Sequence, residues 1–185
     1  MRLILALLLT FTSLASFALT FDGLISKTKN KTLFVDNINK KTYTLTGNTA
    51  IISTYLAKLS EGDFISIEGT RNTAQTILTV SSVNYIGLSA LLGSWIDDKS
   101  YCYNFSSFTE FSVTQKVIGR KCAAGLTPNY TYIINPASTS WVMLISGERG
   151  GGYIGDLKFI SPREIEIQLY DSETGDILSY IQLRK

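Results

Sequence analysis

Cys102 and Cys122 are the only thiols in 185 residues, and no histidine accompanies them. Without histidine the chain cannot assemble Ser-His-Asp or Cys-His catalysis, and it lacks the commonest transition-metal ligand. The acidic pair Asp97 and Asp98 is the next chemistry to weigh. Neighbours on a strand face opposite ways, so these carboxylates cannot share a proton as acid and base. On a turn they form a solvated pair, without the further acidic spacing that the roughly 6 to 8 oxygen ligands of calcium demand. The run from Glu148 to Tyr153, ERGGGY, has the glycines of a phosphate cradle but neither the lysine nor the helix start such a loop needs. It reads as a flexible hairpin loop, with Gly147, Arg149, Gly151 and Tyr153 as candidate binding residues. The residues therefore point to a protein that binds and does not catalyse, with no catalytic residue, cofactor or metal predicted.

The compartment follows from the first residues. MRLILALLLTFTSLASFA sets Arg2 before an apolar run from Leu3 to Leu9 and finishes in small residues, the three parts of a secretory signal peptide. Cleavage is placed after Ala18, with Ala15 as the rival position. The run falls short of the roughly 20 apolar residues that span a bilayer, so no stable membrane insertion is expected. The predicted destination is periplasmic or extracellular. In an oxidising compartment the two cysteines are expected to pair. A Cys102–Cys122 bond would stabilise the fold by roughly 3 kcal/mol through the unfolded state, and two buried free thiols are the alternative.

Charge selects no partner. Lys and Arg number 17 against 15 Asp and Glu, and losing Arg2 with the leader leaves 17 − 1 = 16 against 15. That balance creates no field toward nucleic acid or an acidic membrane. Lys27, Lys29, Lys31, Lys40 and Lys41 gather around the first two turns, as a solvated rim or as an attraction for an anionic envelope polymer. Asn30, Asn104 and Asn129 each open an Asn-x-Ser/Thr sequon, which matters where the exporting cell adds glycans.

Nearly all the elements that must position these residues are strands. Hydrophobic residues make up 45% and charged residues 17%, a globular, β-rich composition. Thr20 to Ser26, Lys31 to Asn37 and Lys41 to Gly47 read as strands, with Tyr43 and Leu45 alternating with threonines in the third. Ile51, Ile52, Tyr55, Leu56 and Leu59 then recur at helical spacing, with Asn48 or Thr49 to cap the start and Gly62 to mark the end. Phe64 to Gly69 and Thr76 to Gly87 are two more strands. This β-β-β-α-β-β order is that of the OB-fold, a five-stranded Greek-key barrel, and LSEGDFISIEG resembles the helix exit and fourth strand of such barrels. An OB-like domain is thus predicted over 19–88, after a leader over 1–18.

Residues 89–185 show no sustained helical period. Strands are expected near Gly93 to Ile96, Tyr101 to Phe105, Glu110 to Ile118, Tyr130 to Ile134, Trp141 to Ser146, Ile154 to Ile160, Glu164 to Tyr170 and Leu178 to Leu183. In EIEIQLYD, Ile165, Ile167 and Leu169 point one way and Glu164, Glu166 and Gln168 the other. Short, turn-rich links favour antiparallel neighbours, and closing eight strands into an up-and-down barrel removes the unpaired edges. A two-sheet sandwich is the alternative. The fold class expected is mainly β, an OB-like barrel followed by an up-and-down antiparallel barrel.

Gly93-Ser94-Trp95 at the start of this meander resembles the lipocalin-like barrels, in which such a Gly-x-Trp closes the narrow end. The resemblance implies a basic side chain over the Trp95 ring, a role that falls to Arg184. The half-chain is shorter than a full lipocalin, which implies short strands and a small or filled cavity. The plan is also similar to that of the small periplasmic lipocalin-like inhibitors of bacterial metalloproteases, which have an early Gly-x-Trp followed by two paired cysteines. Their inhibitory element is a free N-terminal trunk, which has no counterpart here.

Two functions are therefore expected to compete. In the first, the second barrel or the crevice between the barrels holds a small apolar ligand or an envelope component. In the second, a filled barrel uses its loops to contact another exported protein, as an interaction module or protease inhibitor. Tyr101, Tyr103 and Phe105 share one strand face, either as core filling or as an aromatic binding surface. Nucleic acid is not expected, since the first domain offers only Phe34, Tyr43 and Phe64 with scattered lysines.

Overall fold

Phe21, Gly23 and Ile25 alternate with Thr20, Asp22 and Leu24 along β1 (Leu19–Thr28), and only the first set is buried. The same period of two runs through β2 (Lys31–Asp36), β3 (Thr42–Gly47), β4 (Phe64–Arg71) and much of β5 (Ile77–Gly87). Each strand lends one face to an interior holding Phe34, Tyr43, Ile65, Ile67 and Leu78. This is a computed structural model, and it describes residues 18–29, 31–115, 122, 127–147 and 151–185. Residues 1–17 of the leader predicted over 1–18, Asn30 and Arg149 lie outside the described residues.

Antiparallel ladders join β1 to β2, β2 to β3, β4 to β5 and β1 to β4, and a parallel ladder joins β3 to β5. The ring β1-β2-β3-β5-β4 is thereby closed, and along the chain the elements follow the β-β-β-α-β-β succession read from the sequence. β1 serves two neighbours, and its Gly23 pairs with Asp36 on one side and Ile65 on the other. A Cβ there would sit 2.2 Å from the Val35 carbonyl oxygen, so only glycine fits. The parallel pair requires a long connection, which carries α1 (Ala50–Lys58) and β4.

The helix starts at Thr49, whose Oγ1 accepts the Ile52 N–H at 3.2 Å. Its end departs from expectation: Leu59 is already extended, and Gly62, with φ of +81°, belongs to the turn into β4. Leaving the helix at Leu59 drops that side chain into the core at 2% exposure. Arg71, on the inward side of β4, lays its guanidinium 4.5 Å from the Phe21 ring centre and 5.2 Å from that of Tyr43, with Asp36 at 3.7 Å.

The second half is a closed antiparallel barrel of β6 (Gly93–Asp97), β7 (Tyr101–Phe105), β8 (Glu110–Gln115), β9 (Tyr130–Pro136), β10 (Trp141–Gly147), β11 (Gly152–Ser161), β12 (Glu164–Asp171) and β13 (Ile177–Arg184). Each strand pairs with the next, and β13 returns to β6 through Leu183 opposite Asp97 and Arg184 opposite Ile96. Closure excludes the sandwich. Trp95, Phe105, Met143, Leu157 and Ile165 point inward and are buried, whereas Lys158 and Glu166 stand opposite each other on the outer wall.

The two barrels share one cluster of buried residues. Ile86 of β5 pairs with Ile134 of β9. Phe108, in the link between β7 and β8, stacks on Phe64 with ring centres 5.9 Å apart and covers Gly87, where a Cβ would lie 2.5 Å from its ring. The Tyr85 hydroxyl donates to the Phe108 carbonyl. Asp63, 2% exposed, accepts the Ser60 N–H at 2.7 Å and the Ser89 N–H and hydroxyl at 2.8 and 2.9 Å. Its carboxylate thus ties the start of β4 to the link between the barrels.

Candidate functional site

The strand directions give the second barrel two different ends. One carries Gly93, the links Phe105 to Glu110, Pro136 to Trp141 and Ser161 to Glu164, and Lys185; it faces the first barrel. At the other, β6, β8, β10 and β12 end and β7, β9, β11 and β13 begin.

The first end is shut by Trp95. Its ring is fully buried, and its indole N–H donates to the Leu91 carbonyl at 2.7 Å. Gly93 has φ of +102°, in the region that side chains disfavour, although a Cβ there would meet nothing within 4 Å; backbone conformation and not space requires the glycine. The cation over the ring corrects the sequence reading. It is Lys185, with Nζ 4.5 Å from the ring centre and a bond to the Ala90 carbonyl at 3.0 Å. Arg184 pairs instead with Glu164 at 3.2 Å. Alternation along β13 decides this: inward Leu183 puts Arg184 outside and Lys185 back over the interior.

Toward the other end the interior is not filled. A cavity of about 280 Å³ is lined by aromatic and aliphatic side chains, among them Tyr103, Tyr130, Met143, Tyr153 and Leu169, together with Ser179, and none of the described residues in its lining is charged. Its aromatic wall is a stacked run: Phe105 and Phe111 lie 4.9 Å apart and Phe111 and Tyr130 5.0 Å apart, both at 19° between planes. Tyr132 meets Phe105 edge-on at 5.5 Å. Glycine at 155 helps to keep the space open, since a Cβ there would approach Ile167 Cγ2 to 3.1 Å.

Tyr101, Tyr103 and Phe105 do share one face, and it grades from the mouth to the floor. Tyr101 is 40% exposed and Phe105 2%, with Tyr103 between them. The Tyr103 hydroxyl donates to Asp97 Oδ2 at 3.4 Å; burial first, and the neighbouring carboxylate second, push its pKa upward. Burial raises Tyr132 as well. Both phenols are therefore hydrogen-bond donors at neutral pH and not phenolates.

Cys102 and Cys122 form a disulfide with Cα atoms 5.7 Å apart, tied to the outer side of β7. Of the candidate binding loop, the Gly147 N–H donates to the Gly151 carbonyl at 3.1 Å, and Tyr153 lines the cavity. These three residues do sit at the open end. Asp97 accepts the Tyr101 N–H at 2.7 Å and Asp98 is exposed, so the two carboxylates are apart in role. Among the described residues no three potential ligands gather around a metal position, and no helix is long and apolar enough to cross a membrane. Phe34 and Tyr43 are inside the first barrel, and Phe64 is covered by Phe108.

Two features escaped sequence reasoning. Lys185 was readable from alternation alone, and the bulge at Leu178 depends on pairing register. The crevice between the barrels, the other place the sequence offers for a ligand, is about 470 Å³ and lined by Lys58, Asp63, Trp141 and Phe159 among others, with Lys58 Nζ 5.8 Å from the Trp141 ring centre. No protein-family model, curated protein or solved structure matches this chain.

Proposed function

We propose that this is an exported, non-enzymatic binding protein that holds a small apolar ligand in the lumen of its second barrel. The observation that carries the reading is the cavity of about 280 Å³, apolar in lining and placed away from the plug at Trp95. Ligand pockets usually run from about 300 to 1,000 Å³, and a dry cavity of about 150 Å³ already accepts benzene. The ligand is accordingly small, one ring or a short acyl chain, with a group that accepts a hydrogen bond from a tyrosine at the mouth.

Export rests on the leader at residues 1–18, and the disulfide fits an oxidising compartment. The lipocalin-like assignment rests on Gly93, Trp95 and the cation over the ring, and the OB-like assignment of the first barrel rests on strand order. The first barrel then serves as a base for the closed end. The competing reading, a filled barrel acting only through its loops, is weakened by the space at the floor beside Met143.

Titration with a fluorophore that brightens on desolvation tests the reading. Saturable uptake of one probe per chain is expected, and Leu169→Trp, which fills the lumen from a half-buried position, should abolish it without loss of folding. A flat titration of the wild type would overturn the reading.

A further inference from the structure

The outer wall of the second barrel carries one apolar row across five strands. Ile133 stands opposite Leu144, Leu144 opposite Ile154, Ile154 opposite Tyr170 and Tyr170 opposite Ile177. Directly opposed residues of antiparallel strands share a face, so these five side chains form a continuous belt. Ile133 is 47%, Leu144 41% and Ile177 64% exposed. The rows on either side are more polar: Thr131, Ser146 and Gly152 toward the mouth, and toward the plug Asn135, Asp156 and Gln168, with Val142 and Tyr180 completing that row.

At β13 the belt turns over the rim. The β12–β13 register shifts between Leu169 opposite Ser179 and Tyr170 opposite Ile177, which leaves Leu178 as the extra residue of a bulge. Bulges re-aim side chains, and here Leu178 lines the lumen while remaining 49% exposed. Apolar surface thus runs without a polar break from the outer wall, through Ile177 and Leu178, into the cavity.

The occupant follows from size and charge. Six side chains fall far short of the roughly 20 to 30 residues a side of a stable protein interface. The described loop beside Ile177 carries Asp171, Glu173 and Asp176, which disfavours an anionic partner. Charged side chains lower on the wall, Lys158 and Glu166 among them, exclude a lipid-facing band of the height a spanning barrel needs. What remains is shallow contact with an uncharged lipid surface. We propose that the belt docks on a zwitterionic bilayer, and that the apolar ligand crosses the Leu178 rim between bilayer and lumen, the second step resting on the lumen reading above.

Flotation with phosphatidylcholine vesicles tests this, using variants of one preparation so that any contribution of residues 1–18 is common to all. The wild type should float with the vesicles, with little dependence on salt. Leu144→Asp combined with Ile177→Asp should cut the bound fraction at least about tenfold, since each places a charge in the belt, and Leu144→Ser with Ile177→Ser serves if the first variant misfolds. Leu169→Trp should lose probe uptake and keep vesicle binding, which separates failure of the lumen reading from failure of the belt. Absence of wild-type flotation, or flotation unchanged in both double variants, would overturn the proposal. So would a wild-type dimer in sedimentation that the belt variants dissociate, because the belt would then be an interface between copies.

Discussion

Lys185 holds its ammonium nitrogen 4.5 Å from the centre of the buried Trp95 ring. The plug of the second barrel is therefore a layered unit, with the indole anchored to Leu91 below and the cation above anchored to Ala90. A cation over a ring at a partly exposed site contributes about 0.5–1 kcal/mol. Lys185→Ala is expected to destabilise by about that much, plus its packing, whereas Arg184→Ala removes a surface ion pair and should cost less than about 1 kcal/mol. Trp95→Ala should cost about 3–5 kcal/mol. Urea unfolding of the three variants gives the order, and a larger loss for Arg184→Ala than for Lys185→Ala would contradict it.

Asp63 gives the chain an unusual pH response. Burial raises its carboxyl above the ordinary value, against the lowering pull of Ser60 and Ser89. Between the unfolded value of about 3.9 and the raised folded value, the folded chain keeps a proton that the unfolded chain has lost. Stability in that window falls as pH rises; below it both states carry the proton, the slope disappears and the contribution is present in full. Asp63→Asn removes the titration and sets an amide donor against the Ser60 N–H, at a cost of about 1–3 kcal/mol. The deficit of the variant relative to wild type should be largest on the acid side and shrink as pH rises through the window. Unfolding of both proteins across that range checks it, and a deficit that widens with pH has the wrong sign.

The Cys102–Cys122 bond closes a loop with a sequence separation of 20. Such loops stabilise by roughly 3 kcal/mol, so reduction should lower the unfolding midpoint while leaving probe uptake intact in the folded chain. Alkylation followed by mass measurement counts the thiols. Two alkylated cysteines without reductant would remove the bond from the account.

Gly87 sits under Phe108 with no room for a Cβ. Gly87→Ala should displace the wedge and cost about 1–3 kcal/mol as overpacking. Phe108→Ala should loosen the two barrels without unfolding either. Small-angle scattering and limited proteolysis near residues 106–109 read this directly, and an unchanged profile would mean that the wedge does not hold the barrels together.

Much of this architecture is legible in the residues because strands announce themselves by alternation. Ile165, Ile167 and Leu169 faced inward as their spacing requires, and Thr42 to Gly47 and Tyr101 to Phe105 formed strands within a residue of expectation. The helix was visible from its apolar period, but its exit was not, because Leu59 left it to fill the core and not because a glycine stopped it. The site was legible only in part. Trp95 and the open end followed from chain order, whereas the choice between Arg184 and Lys185 turned on counting faces from Leu183. The lumen volume could not be read, since it depends on how side chains from eight strands meet. Leu178 and the belt depend on a register shift that local sequence does not encode.

The chain has two methionines, Met1 and Met143, and Met143 is fully buried in the lining of the lumen. Its ε-methyl resonance is therefore a single reporter at the floor of the lumen. Titrating the labelled protein with a small apolar ligand such as a short-chain alkylbenzene tests the central claim most directly. Binding in the lumen predicts a saturable shift of the Met143 methyl signal that Leu169→Trp abolishes. A Met143 signal that stays in place while ligand reaches saturating concentration would contradict it.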